Sequence, residues 1–191
     1  MMDDHNITAA PLPFAGSAHA EAADPDAAFE ALYQASFARV YALARWQLGD
    51  PDAAQDVVSQ TFLKAFEHRR RAPSGEGMTL WLFRIARNTV IDYLRVHRRR
   101  AGHTTSIDEL AEPIDAGDSP EAAAARRERR AQLLRALAEL PERDRAVLAL
   151  KFGAQRTNRE ICRILDLSEG AVAMRLLRAL RRLRQECGDM E

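Results

Sequence analysis

One stretch of this sequence combines cations with an amide at helical spacing. Arg84, Arg87, Asn88 and Arg95 recur at i, i+3, i+4 and i+11, so a helix would place them on one side. Guanidinium groups pair with phosphates, and an amide can hydrogen-bond to the edge of an unstacked base. The chemistry that this set predicts is the binding of a separated nucleic acid strand, unless the face is simply a solvated surface.

A second arginine-rich stretch lies near the C-terminus. Apolar residues at 172, 176, 180 and 183 predict the buried side of a helix, and arginines at 175, 178 and 182 predict another side. A helix of this kind suits the major groove of a duplex and its phosphate walls. The residues expected nearest the DNA lie in its first turns: Ser168, Glu169, Ala171, Arg175 and Arg178.

The segment before this helix predicts a helix-turn-helix. Ile161, Ile164 and Leu165 would form the buried side of a short first helix, and Ser168 can cap the second. The turn between them usually needs a left-handed residue, which favours glycine. Here the position is Asp166, and aspartate tolerates that conformation.

Other kinds of site chemistry have little support in the sequence. The five histidines show no metal-ligand spacing, and Cys162 and Cys187 form no Cys-x-x-Cys pair. We find neither a glycine-rich phosphate loop nor a pattern of nucleophile and base. We therefore expect no metal site, no cofactor and no enzymatic activity.

The periodicity predicts an all-α protein without strands. Apolar residues at 29, 32, 33, 37, 40, 41, 44 and 48 predict a first helix, and residues 58, 61, 62, 65 and 66 are the expected inner stripe of a second. Thr79 is the expected cap of a third helix that runs to about Arg100. Further helices are predicted over 121–139 and after Pro141, before the helix-turn-helix at about 157–165 and 168–186.

Charge divides the chain into blocks, although the net charge is zero. Residues 61–103 carry +7 and residues 122–191 carry +6, whereas residues 104–121 carry −6. Two basic blocks around an acidic one suggest two sites for a polyanion. We expect a disordered tail over 1–24, a first helical domain over 25–100, a flexible acidic linker over 101–121 and a second helical domain over 122–187.

The N-terminus has no basic region that would start a secretory signal, and it carries early acids. No run approaches the roughly 20 apolar residues of a membrane span. We expect a cytoplasmic protein without membrane insertion.

The motifs together resemble the extracytoplasmic-function (ECF) sigma factors of bacterial RNA polymerase. Residues 49–66 are similar to part of the family's second region, and residues 81–95, which begin Trp-Leu-Phe-Arg-Ile-Ala-Arg-Asn, are similar to its promoter-melting helix. Residues 140–143 and 160–176 resemble its fourth region. The resemblance spans about residues 28–187 in the family's order.

The resemblance implies a role for each set of residues. The loop at 71–79 and Asn88 would capture flipped bases of the minus-ten element, and Arg84, Arg87 and Arg95 would hold its backbone. Residues 168–178 would read the minus-thirty-five duplex. Asp56, Gln60 and Leu63 would dock on core polymerase, the acidic linker would run towards the RNA exit path, and an anti-sigma factor is an expected further partner.

Some positions depart from the family's pattern. The family often has acids at 53, 55 and 60, where this chain has Ala53, Gln55 and Gln60, and it often has a basic residue at 173, where this chain has Ala173. The rival to the sigma interpretation is an autonomous helix-turn-helix regulator that binds duplex DNA without polymerase. That alternative leaves the motif at 81–95 without a role.

Overall fold

The computed structural model describes residues 24–100, which form the first unit, and residues 119–187, which form the second. The first unit contains α1 (Pro25–Leu48), α2 (Pro51–His68) and α3 (Glu76–Arg100), and the second contains α4 (Pro120–Ala138), α5 (Glu142–Leu148), α6 (Asn158–Leu165) and α7 (Glu169–Cys187). A 3₁₀ turn at Arg69–Arg71 follows α2, and a π turn at Ala149–Gly153 continues α5. No strand occurs in these two units, and the predicted all-α class is confirmed. The predicted tail and nearly all of the acidic linker lie outside the described residues.

Local capping explains where the first helices begin and end. Asp24 accepts a hydrogen bond from the Asp26 amide at 3.1 Å, with Pro25 in the first turn. Gly49 ends α1 at φ 75°, and Asp50 then caps α2 through the amides of Asp52 and Ala53 at 2.8 and 3.0 Å. The third helix differs from the prediction, because it begins at Glu76 and includes Thr79 as an interior residue.

Some residues expected in the core are exposed. Tyr33, Phe37 and Phe66 are 41–42% exposed, because their rings pack around the edge of Phe62 and Phe29 instead of beneath another helix. In α7, Leu180 is 44% exposed and Ala179 takes the buried position. The other members of the predicted stripe, at 172, 176 and 183, are buried or pack against the core, so Leu180 alone departs from it.

The two units pack on each other through one continuous core. Buried residues of α1 and α3, including Leu43 and Phe83, belong to the same cluster as Leu150 and Ile161 of the second unit. Gly153 permits this approach, since a Cβ atom there would lie 3.2 Å from the carbonyl oxygen of Ala42. The Trp46 and Phe152 rings stack beside it with centroids 6.3 Å apart. The expectation of two helical units is met, and in this structure the units are closed against each other.

Candidate nucleic-acid interface

A cavity of about 740 Å³ lies between α2 and α3, at the position predicted for a separated strand. Arg84 and Asn88 both line it, with Trp81 and the loop residues Arg71 and Pro73 around them. Aromatic and guanidinium groups beside an amide can stack on a base and hydrogen-bond to it. The cavity therefore has the chemistry needed to hold an unstacked base.

Lys64 also lines this cavity, although it was not among the predicted nucleic-acid residues. Its ammonium group donates to the Thr89 hydroxyl at 3.3 Å and lies 3.7 Å from the Asp92 carboxylate. In the sequence Lys64 directly follows Leu63, one of the predicted polymerase-docking residues on α2, and nothing in the helical spacing points to the cavity. Only the packing of α2 on α3 brings it to the cavity wall.

Arg84 is engaged with the second unit. Its Nε donates to the carbonyl oxygen of Arg163 at 2.9 Å, and a second guanidinium nitrogen donates to the same oxygen. Arg163 also lines the cavity, so the end of α6 closes one side of it. The two helices therefore meet at a residue that the sequence predicts to bind DNA.

Arg87 and Arg95 lie apart from Arg84 and Asn88. Arg87 lines a different cleft. Burial lowers the pKa of its guanidinium there, and the charge of Arg84 lowers it further. The nearby carboxylates of Asp166 and Glu142 have the opposite, smaller effect. Arg95 is exposed beside Asp92, with 3.9 Å between nitrogen and oxygen. The structure thus brings two of the four predicted residues into one cavity.

The residues predicted to dock on core polymerase share one exposed face of α2. Asp56, Gln60 and Leu63 follow one another at i, i+4 and i+7. Leu63 is 58% exposed, which is unusual for a large apolar side chain unless a partner covers it. The face is available for a protein contact.

The helix-turn-helix has the predicted turn. Asp166 adopts the left-handed conformation at φ 55° and ψ 53°, and its amide donates to the Cys162 carbonyl. Ser168 accepts a hydrogen bond from the Ala171 amide at 3.2 Å, so it caps α7 as predicted. Thr157 and Glu160 form a reciprocal capping box at the start of α6.

The Glu160 carboxylate is one half of this capping box, and its contribution to stability depends on pH. Partial burial alone would raise its pKa, but hydrogen bonds from the Thr157 amide at 2.7 Å and hydroxyl at 2.8 Å, together with Arg156, lower the pKa below 4.5. The stabilisation is therefore complete above pH 4.5 and is lost as the pH falls through the lower folded-state pKa.

We expect Glu160→Gln to reduce the free energy of unfolding by about 1 kcal/mol at pH 7, because charge-assisted bonds are replaced by neutral ones. Denaturant unfolding from pH 7 to pH 3 measures the difference, which should shrink towards zero at the acid end. Glu67→Gln on the exposed face of α2 is the matched control. A difference that stays constant across this pH range would refute the role of the Glu160 charge.

The residues predicted on the reading face of α7 are divided between two sides. Ser168, Glu169 and Arg178 are exposed, whereas Ala171 is half-buried. Arg175 turns inward and pairs with Asp144 of α5 at 3.0 Å, and Arg178 lies 3.7 Å from the same carboxylate oxygen. Asp144 is 7% exposed, so this pair forms part of the packing between α5 and α7.

Two apolar residues that the sequence analysis did not select occupy the outer face of α7. Met174 is 56% exposed and lies one turn before Arg178. Leu177 is 41% exposed and directly precedes Arg178. Exposed apolar side chains on a recognition helix can contact thymine methyl groups. The i, i+4 spacing of Met174 and Arg178 was the available signal for this face.

Comparison with known proteins gives the same two regions. Residues 32–100 match the family model of Sigma-70 region 2, and residues 130–183 match that of Sigma-70, region 4. In the part of the chain that the structure describes, no helix has the length and hydropathy of a membrane span.

Individual relatives extend this result. The chain is 33% identical over 177 residues to the ECF RNA polymerase sigma factor SigL of Mycobacterium tuberculosis, covering 91% of this chain and 96% of that protein. It is 30% identical over 138 residues to the probable RNA polymerase sigma factor RfaY of Xanthomonas campestris, covering 72% of this chain but only 34% of that longer protein.

A solved structure has the same fold. The sigma factor RpoE of Bartonella quintana, solved in complex with the anti-sigma factor NepR, superposes with a TM-score of 0.69 at 20% identity, covering 85% of this chain and 98% of that one. The two family models match the chain in the order region 2 and then region 4, and the similarity to SigL covers 91% of the chain. The chain belongs to the ECF family of RNA polymerase sigma factors.

Proposed function

We propose that this chain binds core RNA polymerase, directs it to promoters through two separate DNA elements, and acts in the cytoplasm without catalysis of its own. The observation that carries the proposal is the cavity lined by Arg84 and Asn88 in one unit, combined with a capped helix-turn-helix in the other. A single chain with both features can recognise a melted strand and a duplex. Polymerase would perform the phosphoryl transfer.

The first unit takes the minus-ten element in this proposal. Asn88 is exposed at the cavity and would hydrogen-bond to a flipped base, while Arg84, Arg87 and Arg95 would bind the strand's backbone. Lys64 adds a positive charge to the same wall. Unstacking costs a few kcal/mol per base step, which the cavity contacts would offset.

The second unit takes the minus-thirty-five element. Ser168, Glu169 and Ala171 lie at the start of α7, where a recognition helix meets base edges, and Arg178 would bind phosphate. Arg175 would contribute after leaving Asp144, or else would hold α7 in place through that ion pair. Met174 and Leu177 add an apolar surface suited to thymine methyl groups.

The exposed face of α2 with Asp56, Gln60 and Leu63 would dock on core polymerase. An anti-sigma factor is a further proposed partner, because RpoE of Bartonella quintana was solved in complex with one. Such a partner would hold the chain away from polymerase by covering faces that polymerase or DNA requires.

Run-off transcription tests the proposal. Purified bacterial core polymerase is incubated with a fragmented genomic library of the source organism, with and without this protein. We expect discrete start sites that depend on the protein, and their upstream sequences would align into two elements. If the protein gives no such sites with its cognate polymerase but binds duplex DNA tightly alone, the autonomous regulator is correct instead.

Asn88→Ala provides the residue-level test. We expect run-off product to fall about tenfold, because a base contact is worth roughly 1–3 kcal/mol. Asn88 is exposed, so the melting temperature should not change. Gln34→Ala removes an exposed amide from α1 as the matched control, and equal run-off from both variants would exclude Asn88 from minus-ten recognition.

A further inference from the structure

A second cleft, of about 310 Å³, lies where the two units meet. Gln47 and Arg87 line it from the first unit, and Glu142, Arg143 and Arg175 line it from the second. Three guanidinium groups and one carboxylate line the cleft, and the Asp144 carboxylate pairs with Arg175 beside it. Because residues of both units form its walls, the cleft is complete only while the two units are packed together.

Hydrogen-bond donors in this cleft are incompletely satisfied. Gln47 is only 5% exposed, and its Nε2 has no hydrogen-bond partner among the described residues. The Nε of Arg175 is likewise buried without a partner there, although another of its nitrogens pairs with Asp144. A buried donor without a partner is unfavourable, so an acceptor at this place would stabilise the closed arrangement.

The environment of Arg87 agrees with this requirement. Burial lowers the pKa of Arg87 and the charge of Arg84 lowers it further, and the opposing effects of Asp166 and Glu142 are smaller than these two together. A ligand that carries negative charge and several acceptor oxygens would satisfy both the donors and the cations. Phosphate groups have these properties and bind readily to converging guanidinium groups.

We propose that the cleft between the units is a binding site for a small phosphate-type anion, held by Arg87, Arg143, Arg175 and the Gln47 amide. The cleft is small for a nucleic acid strand, so the ligand is a free anion and not promoter DNA. Because both units hold the anion, binding favours the closed arrangement. If the proposed function holds, the bound anion would also compete with DNA for Arg87 and Arg175.

Thermal unfolding of the full chain tests this site with inorganic pyrophosphate as the probe, against sodium chloride at matched ionic strength. We expect a saturable rise in melting temperature for the wild type, as linkage requires for a ligand of the folded state. Arg143→Gln should weaken the apparent affinity at least about tenfold, since one guanidinium contact is lost. Arg39→Gln, an exposed arginine of α1 outside the cleft, should leave it unchanged.

Gln47→Leu gives a second, independent readout. Without pyrophosphate the variant should be at least as stable as the wild type, because an unsatisfied buried donor is removed. With pyrophosphate its stabilisation should be weaker. A rise that does not saturate, or one that is equal in Arg143→Gln and Arg39→Gln, would overturn the site; the assay contains neither polymerase nor DNA, so its failure is distinct from failure of the proposed function.

Discussion

Replacing Phe83 with alanine is expected to lower the free energy of unfolding by about 4 kcal/mol, more than any other substitution proposed for this chain. The ring is 0% exposed and lies in the core that both units share. Its removal leaves a cavity that the surrounding helices cannot fill, and it also removes the ring beneath the Arg156 guanidinium, 4.9 Å from the centroid. Denaturant unfolding followed by circular dichroism measures the loss.

Phe66→Ala is the matched control, because that ring is 42% exposed on α2. We expect it to cost about 1 kcal/mol, in proportion to the smaller buried area. A double-mutant cycle between Phe83 and Arg156 then isolates the contact between the units, with an expected coupling of about 1 kcal/mol. A similar cost for both phenylalanines, or no coupling, would contradict the closed packing.

Asp144→Ala is expected to cost about 3 kcal/mol, since it removes the partner of a largely buried arginine. The Asp144 and Arg175 side chains are 10% and 19% exposed, and their atoms lie 3.0 Å apart. Once the carboxylate is removed, the Arg175 cation lacks this partner between α5 and α7. Equilibrium unfolding in urea provides the measurement.

The double variant Asp144→Ala with Arg175→Met should recover most of this loss, because a buried ion pair can be replaced by apolar groups at little cost. Asp56→Ala on the exposed face of α2 is the control and should change stability by less than about 0.5 kcal/mol. If Asp144→Ala resembled Asp56→Ala, Arg175 would be free to bind DNA without first leaving a partner.

Local signals in the sequence predicted most of the individual elements. Asp-Pro and Gly-Asp-Pro sequences stand at the ends of α1 and the start of α2, and Asp166 with Ser168 forms the predicted turn of the helix-turn-helix. These features depend on residues within a few positions of each other, through capping and backbone conformation. Helical spacing also predicted that Arg84 and Asn88 lie on one face, and both line the cavity.

Contacts between distant parts of the chain could not be predicted in this way. Arg175 shares a helical spacing with exposed arginines, and only the packing of α5 on α7 turns it towards Asp144. Likewise, no periodicity indicates that Arg84 meets the carbonyl of Arg163, which is 79 positions away. Exposed Met174 and Leu177 were missed because an apolar residue on a helix usually belongs to the core.

The closed arrangement has a direct consequence for the proposed function. The names of the minus-ten and minus-thirty-five elements put them about 25 base pairs apart, which is about 85 Å along a duplex with a rise of about 3.4 Å per base pair. A compact chain of this length has a radius of gyration of only about 16 Å. If the proposed function holds, the two units would have to separate before both could reach their elements, and Arg84 would have to leave the Arg163 carbonyl to bind a phosphate.

The most direct test of this account is the distance between the units in the free protein and on polymerase. Dyes are attached by Gln34→Cys on α1 and Gln185→Cys on α7, both exposed positions, in a chain with Cys162→Ser and Cys187→Ser. We predict one population with high energy transfer in the free chain and low transfer after core polymerase is added. Low transfer in the free chain, or an unchanged value on polymerase, would contradict the account.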